Sequence, residues 1–159
     1  MTDSRFTIQQ WRDAVRGAAT EIARYALAFD GATVAEPTPE PAAATASMIG
    51  AHIPLVGSQS FEISLVATRA CCHALAGAVL GMGTDAELST ATVADAIGEI
   101  ANQLAGGVKR RLASNGGDLE LGLPVFVNGS VEPTGRQSVV ALPTSFGPIA
   151  AMVLIVGPK

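Results

Sequence analysis

The sequence predicts an α+β fold: a mostly antiparallel sheet with two long pseudo-repeat helices packed on it, preceded by an N-terminal helix. Three observations predict it. Apolar residues make up 48 % of the 159 and charged residues 15 %, enough to bury the core of one compact domain. Aromatics are only 4 %, so that core is built from Val, Ile, Leu and Ala, which suits helices lying close on a sheet. Segments of period two stand on either side of a pair of segments of period 3.6, the order expected when helices pack on a sheet.

The elements follow in order. Residues 7–29 read as an amphipathic helix, with Ile8, Trp11, Val15, Ala18, Ala19, Ile22, Ala26 and Phe29 recurring at three- and four-residue steps. Arg12, Arg16, Glu21 and Arg24 take most of the other side, and Gly31 is in position to cap the end. Residues 32–46 are rich in Pro, Ala and Thr, with Pro37, Pro39 and Pro41 alternating. Prolines at that spacing remove donors that a helix or inner strand needs, so this tract is expected to be a loop or linker. The expected organisation is an N-terminal helix docked on the domain (1–31), the Pro/Ala-rich tract (32–46), and a main domain (47–159).

Residues 48–56 and 60–67 read as two strands joined by a turn at Gly57-Ser58. In the second, Phe61, Ile63 and Leu65 alternate with Glu62 and Ser64, the period of a half-buried strand. Residues 69–80 read as a buried helix ended by Gly81, Gly83 and Asp85. A longer helix is expected from about 92 to 113, with Thr92 or Ser89 as its cap and Asn115-Gly116-Gly117 as its stop. Three strand-like runs follow at 119–127, 137–145 and 148–154, with turns at Asn128-Gly129 and Phe146-Gly147-Pro148. The two middle helices look like degenerate copies. Leu75-Ala76-Gly77 matches Leu104-Ala105-Gly106, and Val79 matches Val108. At that offset Ala70 stands where Glu99 stands, and His73 where Asn102 stands.

Composition excludes several function classes. A net charge of −4 argues against nucleic acid, whose phosphates need clustered Lys and Arg. The one basic cluster, Lys109-Arg110-Arg111, falls at a helix end, where the dipole favours cations. No apolar stretch near the start resembles a signal peptide, and the run 148–156 is too short to cross a bilayer. A cytoplasmic location is expected. Cys71 and Cys72 are adjacent and read as small apolar residues of a helix; no spacing of Cys and His suggests a metal site. His73, on an apolar helix, reads as a half-buried structural histidine, and His52 has no partner in sequence that suggests metal.

The second middle helix carries the candidate chemistry. Val93, Ile97, Ile100, Leu104, Val108 and Leu112 form its inward stripe. Asp95, Glu99, Asn102 and Gly106, at steps of four, three and four, form one exposed row on the other side. Glycine is costly inside an exposed helix, by ~1 kcal/mol relative to alanine, and a second backbone approaching there would account for Gly106.

This pattern resembles the CheC/CheX/FliY family of response-regulator phosphatases, the CheX branch above all. Asp95, three residues, Glu99, two residues, Asn102 and then Pro124 fit the family pattern residue by residue, and Ile97-Gly98-Glu99-Ile100-Ala101-Asn102, Gly106 and Lys109 are similar in wording. The resemblance covers about residues 48–156. With Ala70 and His73 at the paired positions of the other helix, one active helix remains, as in the CheX branch.

The resemblance implies a chemotaxis hydrolase of two-component signalling, acting on the aspartyl phosphate of a CheY-like receiver domain. Glu99 and Asn102 would be the catalytic residues. Glu99 would pair with the receiver's lysine and Asn102 would hold the attacking water. Asp95, Gly106 and Lys109 would contact the partner, and Pro124 would have a structural part in the motif. No cofactor is expected on this chain, since the divalent metal (Mg²⁺) belongs to the receiver. A homodimer is implied, and the apolar run 150–156 adds the expectation of a sheet edge that pairs with a second copy. The competing readings are a receiver- or flagellar-component-binding module without hydrolysis, and a structural domain whose Asp95 row is merely solvated.

Overall fold

The computed structural model describes residues 6–113, 118–128 and 137–158. Helix α1 (Ile8–Glu21) opens on a reciprocal cap: the Gln10 N–H donates to the Thr7 hydroxyl at 3.1 Å and the Thr7 N–H donates to the Gln10 side chain at 2.7 Å. Its inward residues Trp11, Ala14, Val15, Ala18 and Ala19 are buried, and Trp11 meets Phe6 and Phe61 edge-on at ring distances of 5.5 and 5.0 Å.

The α-helix expected to reach residue 29 gives way to a wide π turn over Ile22–Ala26. That turn keeps Ile22, Ala23 and Leu27 buried while leaving Tyr25 in solvent. Ala28, with φ 59°, takes the left-handed position that had been expected of Gly31. Gly31 instead accepts the Gly147 N–H through its carbonyl at 2.9 Å.

One antiparallel sheet carries the helices. Strands β1 (Ala32–Val34), β2 (Ile49–Val56), β3 (Phe61–Ala67), β4 (Glu120–Leu121), β5 (Val125–Asn128), β6 (Gln137–Phe146) and β7 (Ile149–Pro158) lie in the order β1-β6-β7-β3-β2-β4, with β5 also paired to β2. Two hairpins form the centre. In the first, β2 and β3 pair from Ile49↔Ala67 to Leu55↔Phe61. In the second, β6 and β7 pair from Gln137↔Pro158 to Phe146↔Ile149 about Gly147, whose φ of +57° the tight turn requires. Within the Pro-rich tract, Ala32–Val34 pairs with β6, and a one-turn helix α2 (Pro41–Ala44) follows.

Both faces of the sheet centre are covered. Ala51, Ile53, Leu55, Ile63, Leu65, Val153 and Ile155 join the main core under the helices. Val66, Ala141, Met152 and Leu154 cluster on the opposite face against Ala44 and Met48. The apolar run 150–156 is therefore not an edge. It lies in β7, hydrogen-bonded to β3 on one side and β6 on the other, and it is apolar because it is covered above and below. A homodimer cannot use it as an open strand.

Helix α3 (Arg69–Val79) starts at Thr68, whose hydroxyl accepts the Cys71 N–H at 3.2 Å. Cys71 and Cys72 are free thiols; Cys72 beneath the helix is buried, and burial pushes its thiol up to about 11. Helix α4 (Thr90–Ala113) starts at Ser89, whose hydroxyl accepts the Thr92 N–H at 3.2 Å. The expected pair of long pseudo-repeat helices is thus corrected: α4 has 24 residues and α3 only 11. The expected stop at residues 115–117 and the turn at Gly129 lie outside the described residues.

Candidate functional site

The long helix is fixed from three sides before any functional group is considered. Val93, Ile97, Ile100, Leu104, Val108 and Leu112 are all buried in the main core. Against α1 the approach is close: a Cβ on Gly107 would stand 2.8 Å from the Ala18 Cβ. At the carboxyl end, Glu21 of α1 receives Arg111 at 2.6 Å and Arg110 at 3.6 Å, and Arg111 also donates to the Gly107 carbonyl at 3.1 Å. Two of the three clustered cations thus serve the α1–α4 seam.

The opposite side of α4 presents the predicted row. Asp95 and Glu99 are exposed; Asn102, Gly106 and Lys109 are half-buried. Gln103 donates its amide to the Glu99 carboxylate at 3.2 Å, one turn along, and this steadies the carboxylate without neutralising it. Beside the row runs the break between β4 and β5. Ala94, Asp95, Gly98, Glu99 and Asn102 form one wall of a recess of about 380 Å³, and Leu123, Pro124 and Phe126 form the other.

Asp95, Glu99, Asn102 and Pro124 are therefore brought together at one recess. Gly106 and Lys109 lie further along α4 and do not line it. Among the described residues, the nearest atoms to a Cβ on Gly106 would be Leu121 Cδ1 at 3.8 Å and Arg110 Nη1 at 3.9 Å, both in side chains. Its neighbour Gly107 is where α1 packs closely on the helix, at Ala18. Gly98, which faces the Pro124 Cβ at 4.0 Å, together with Leu123 and Phe126, joins the site without having been expected there. The larger recess, about 510 Å³ between α1 and α4, is lined by Glu21, Tyr25, Val79, Gln103 and Arg110 and holds none of the predicted residues.

The chemistry available at the α4 recess is narrow. Glu99 and Asp95 offer carboxylates to a cation. Asn102 offers one amide, at once donor and acceptor and uncharged. Among the described residues no group of His, Cys, Asp or Glu could hold a metal ion, and no helix is long and apolar enough to cross a membrane. His73 is half-buried, with Nδ1 2.9 Å from the Arg69 carbonyl oxygen. His52 lies across the β2–β3 pair from Ser64, which it contacts, and 3.1 Å from Glu62. Burial holds its pKa below the usual histidine value, while Glu62 pulls the other way.

Comparison with known proteins gives the chain's family and the relatives of its fold. The model of the family described as chemotaxis phosphatase CheX matches residues 49–143. Among solved structures, a CheC-like superfamily protein from Shewanella sp. PV-4 aligns at a TM-score of 0.77 and 14 % identity, over 97 % of this chain and 99 % of that one. The chemotaxis protein CheX of Desulfovibrio desulfuricans aligns at 0.76 and 17 %, over 94 % and 99 %. A chain of the CheX–CheY–BeF3–Mg²⁺ complex from Borrelia burgdorferi aligns at 0.69 and 17 %, over 94 % and 97 %. No curated protein matches the sequence.

Proposed function

This chain belongs to the chemotaxis phosphatase CheX family, and from that premise we propose that it speeds hydrolysis of the aspartyl phosphate on a CheY-like receiver domain, with Glu99 docking and Asn102 positioning water. The observation that carries this reading is the placing of an exposed carboxylate and a half-buried amide, one turn apart, on the wall of one recess closed by Pro124. The relative solved as a CheX–CheY–BeF3–Mg²⁺ complex supports the choice of partner.

The roles follow from the chemistry. Glu99 meets the receiver's lysine as a charge-assisted pair and sets the register of α4 on the partner. Asn102 then enters beside the phosphoryl group. Its carbonyl accepts one hydrogen of a water and orients the oxygen in line with the phosphorus–oxygen bond to the aspartate. Attack forms a new P–O bond, the aspartyl carboxylate leaves, and inorganic phosphate is released. The Mg²⁺ ion in this scheme is the receiver's own. Asp95 adds a second negative charge toward the partner, while Lys109 and Gly106 extend the contact along α4. What the chain supplies is position, which dominates phosphoryl transfer.

The test is phosphate release from receivers charged with acetyl phosphate, with and without this protein. Acceleration of at least one receiver is the expected result. Binding to a charged receiver without acceleration would replace the enzyme with a binding module.

A further inference from the structure

We propose that Leu123 and Leu80, one on each flank of the Asp95–Glu99 ridge, are the apolar anchors that set how tightly the charged receiver is held. The inference rests on the reading of the α4 face just given and adds to it the residues that supply affinity without touching the chemistry.

Leu123 is 84 % exposed and Leu80 47 %. Single exposed leucines are ordinary; these two share one setting. Leu123 lines the recess that holds Asp95, Glu99 and Asn102. Leu80, with Val79, lines a second recess of about 400 Å³, and its other walls include the same Asp95 and Glu99. The two carboxylates therefore line both recesses, with Leu123 in one and Leu80 in the other.

Both leucines sit on anchored backbone. Before Leu123, the Gly122 N–H donates to the Pro54 carbonyl at 2.8 Å, and Pro124 restricts Leu123, the residue that precedes it, to extended backbone. Leu80 ends α3, with its N–H donated to the Ala76 carbonyl at 3.1 Å, and the turn beyond returns the Met82 N–H to Gly77 at 2.8 Å. Anchors already held in place lose little freedom on binding.

The matching partner surface is a cation set among apolar side chains, as a receiver would present if its lysine met Glu99. Apolar contacts around a desolvated charge pair also exclude water from it and strengthen it. Neither leucine carries a group that could act on a phosphoryl oxygen, so their contacts hold ground state and transition state alike. Their loss should appear in affinity and not in the maximal rate.

The experiment uses the full chain with Leu123→Ser and Leu80→Ser, singly and together. Kd is measured for a receiver charged with Mg²⁺ and beryllofluoride, and KM and kcat for the phosphorylated receiver. Leu123→Ser should raise Kd and KM about tenfold and Leu80→Ser somewhat less, with kcat at saturation held and thermal midpoints unmoved. Unchanged Kd in the double variant overturns the proposal, as does a fall in kcat at constant KM. Wild-type binding without faster phosphate loss removes the catalytic reading and leaves Kd to decide this one. Wild-type failure to bind any charged receiver removes both.

Discussion

Replacing Asn102 by alanine should separate the proposed catalysis from everything else the α4 face does. The amide is half-buried, lines the recess with Pro124 and Leu123, and has no side-chain hydrogen bond to another described residue. Its removal therefore leaves no buried partner unsatisfied, and alanine gains up to ~0.7 kcal/mol of helix propensity. Stability should stay level or rise slightly. Loss of one positioned hydrogen-bonding group at a reacting centre costs about 10²-fold in rate, or ~2.7 kcal/mol of barrier. Asn102→Gln keeps the amide but carries it one methylene outward toward the Leu123–Pro124 wall, so it should recover only part of that loss. The assay is single-turnover decay of phosphorylated receiver at saturating protein, which isolates the chemical step. If Asn102→Ala empties the receiver of phosphate as fast as wild type, Asn102 does not hold the water and the mechanism is wrong.

Three further outcomes are expected. Glu99→Ala should weaken receiver binding and lower turnover together, and Glu99→Lys should be worse because it opposes like charges; titration of a charged receiver and its decay rate report both, and wild-type values for each would sink the docking role. Gly106→Ala should raise stability by up to ~1 kcal/mol yet impair receiver binding, whereas Gly107→Ala, whose Cβ would stand 2.8 Å from Ala18, should destabilise by about 1 kcal/mol as overpacking outweighs propensity; urea unfolding of the pair checks the opposite signs. His52 has a folded pKa below its unfolded one, so its contribution to stability is full above ~6.5 and is lost as pH falls through the folded value; stability should decline between about pH 7 and 5 less steeply in His52→Gln than in wild type, and identical slopes would count against it.

Helix α4 was legible because its inward stripe is strictly periodic and every member proved buried. The Gly57-Ser58 turn was legible for a similar reason, since alternation flanks it. Other features had no such signal. Continuous apolar composition says that a strand is covered, not where it sits, so β7 passed for an edge when it lies between β3 and β6. The run 119–127 read as one strand, but Pro124 lacks a donor and the chain breaks there into β4 and β5. The tripeptide shared by α3 and α4 misled because its glycines do different work. A Cβ on Gly77 would stand 2.0 Å from the Gly83 carbonyl oxygen, so α3 is closed off by its own returning turn, while Gly106 stands clear. At the site, Asp95, Glu99, Asn102 and Pro124 were readable from spacing and resemblance. Leu123 and Leu80 were not, because an isolated leucine carries no mark of exposure until its neighbours are placed.

The construction of α4 explains how so small a chemical inventory can be enough. If the receiver brings the metal and the electrophile, the chain must deliver one amide to one place, and an error of an ångström costs more than a missing charge. That demand falls on the helix, not on the amide. Its inward face is buried without interruption over six apolar residues, its start is fixed by Ser89, and its end is tied to α1 through Glu21. The Ala18–Gly107 contact sets the depth at which α4 lies between α1 and the sheet. In the proposed mechanism, damage at that seam, on the far side of the helix from Asn102, would reach the phosphoryl group by moving the helix as a body. On the proposed reading, the same stiffness would let Leu80 and Leu123, on the neighbouring turn and strand break, adjust the grip on a receiver without disturbing the line along which water attacks.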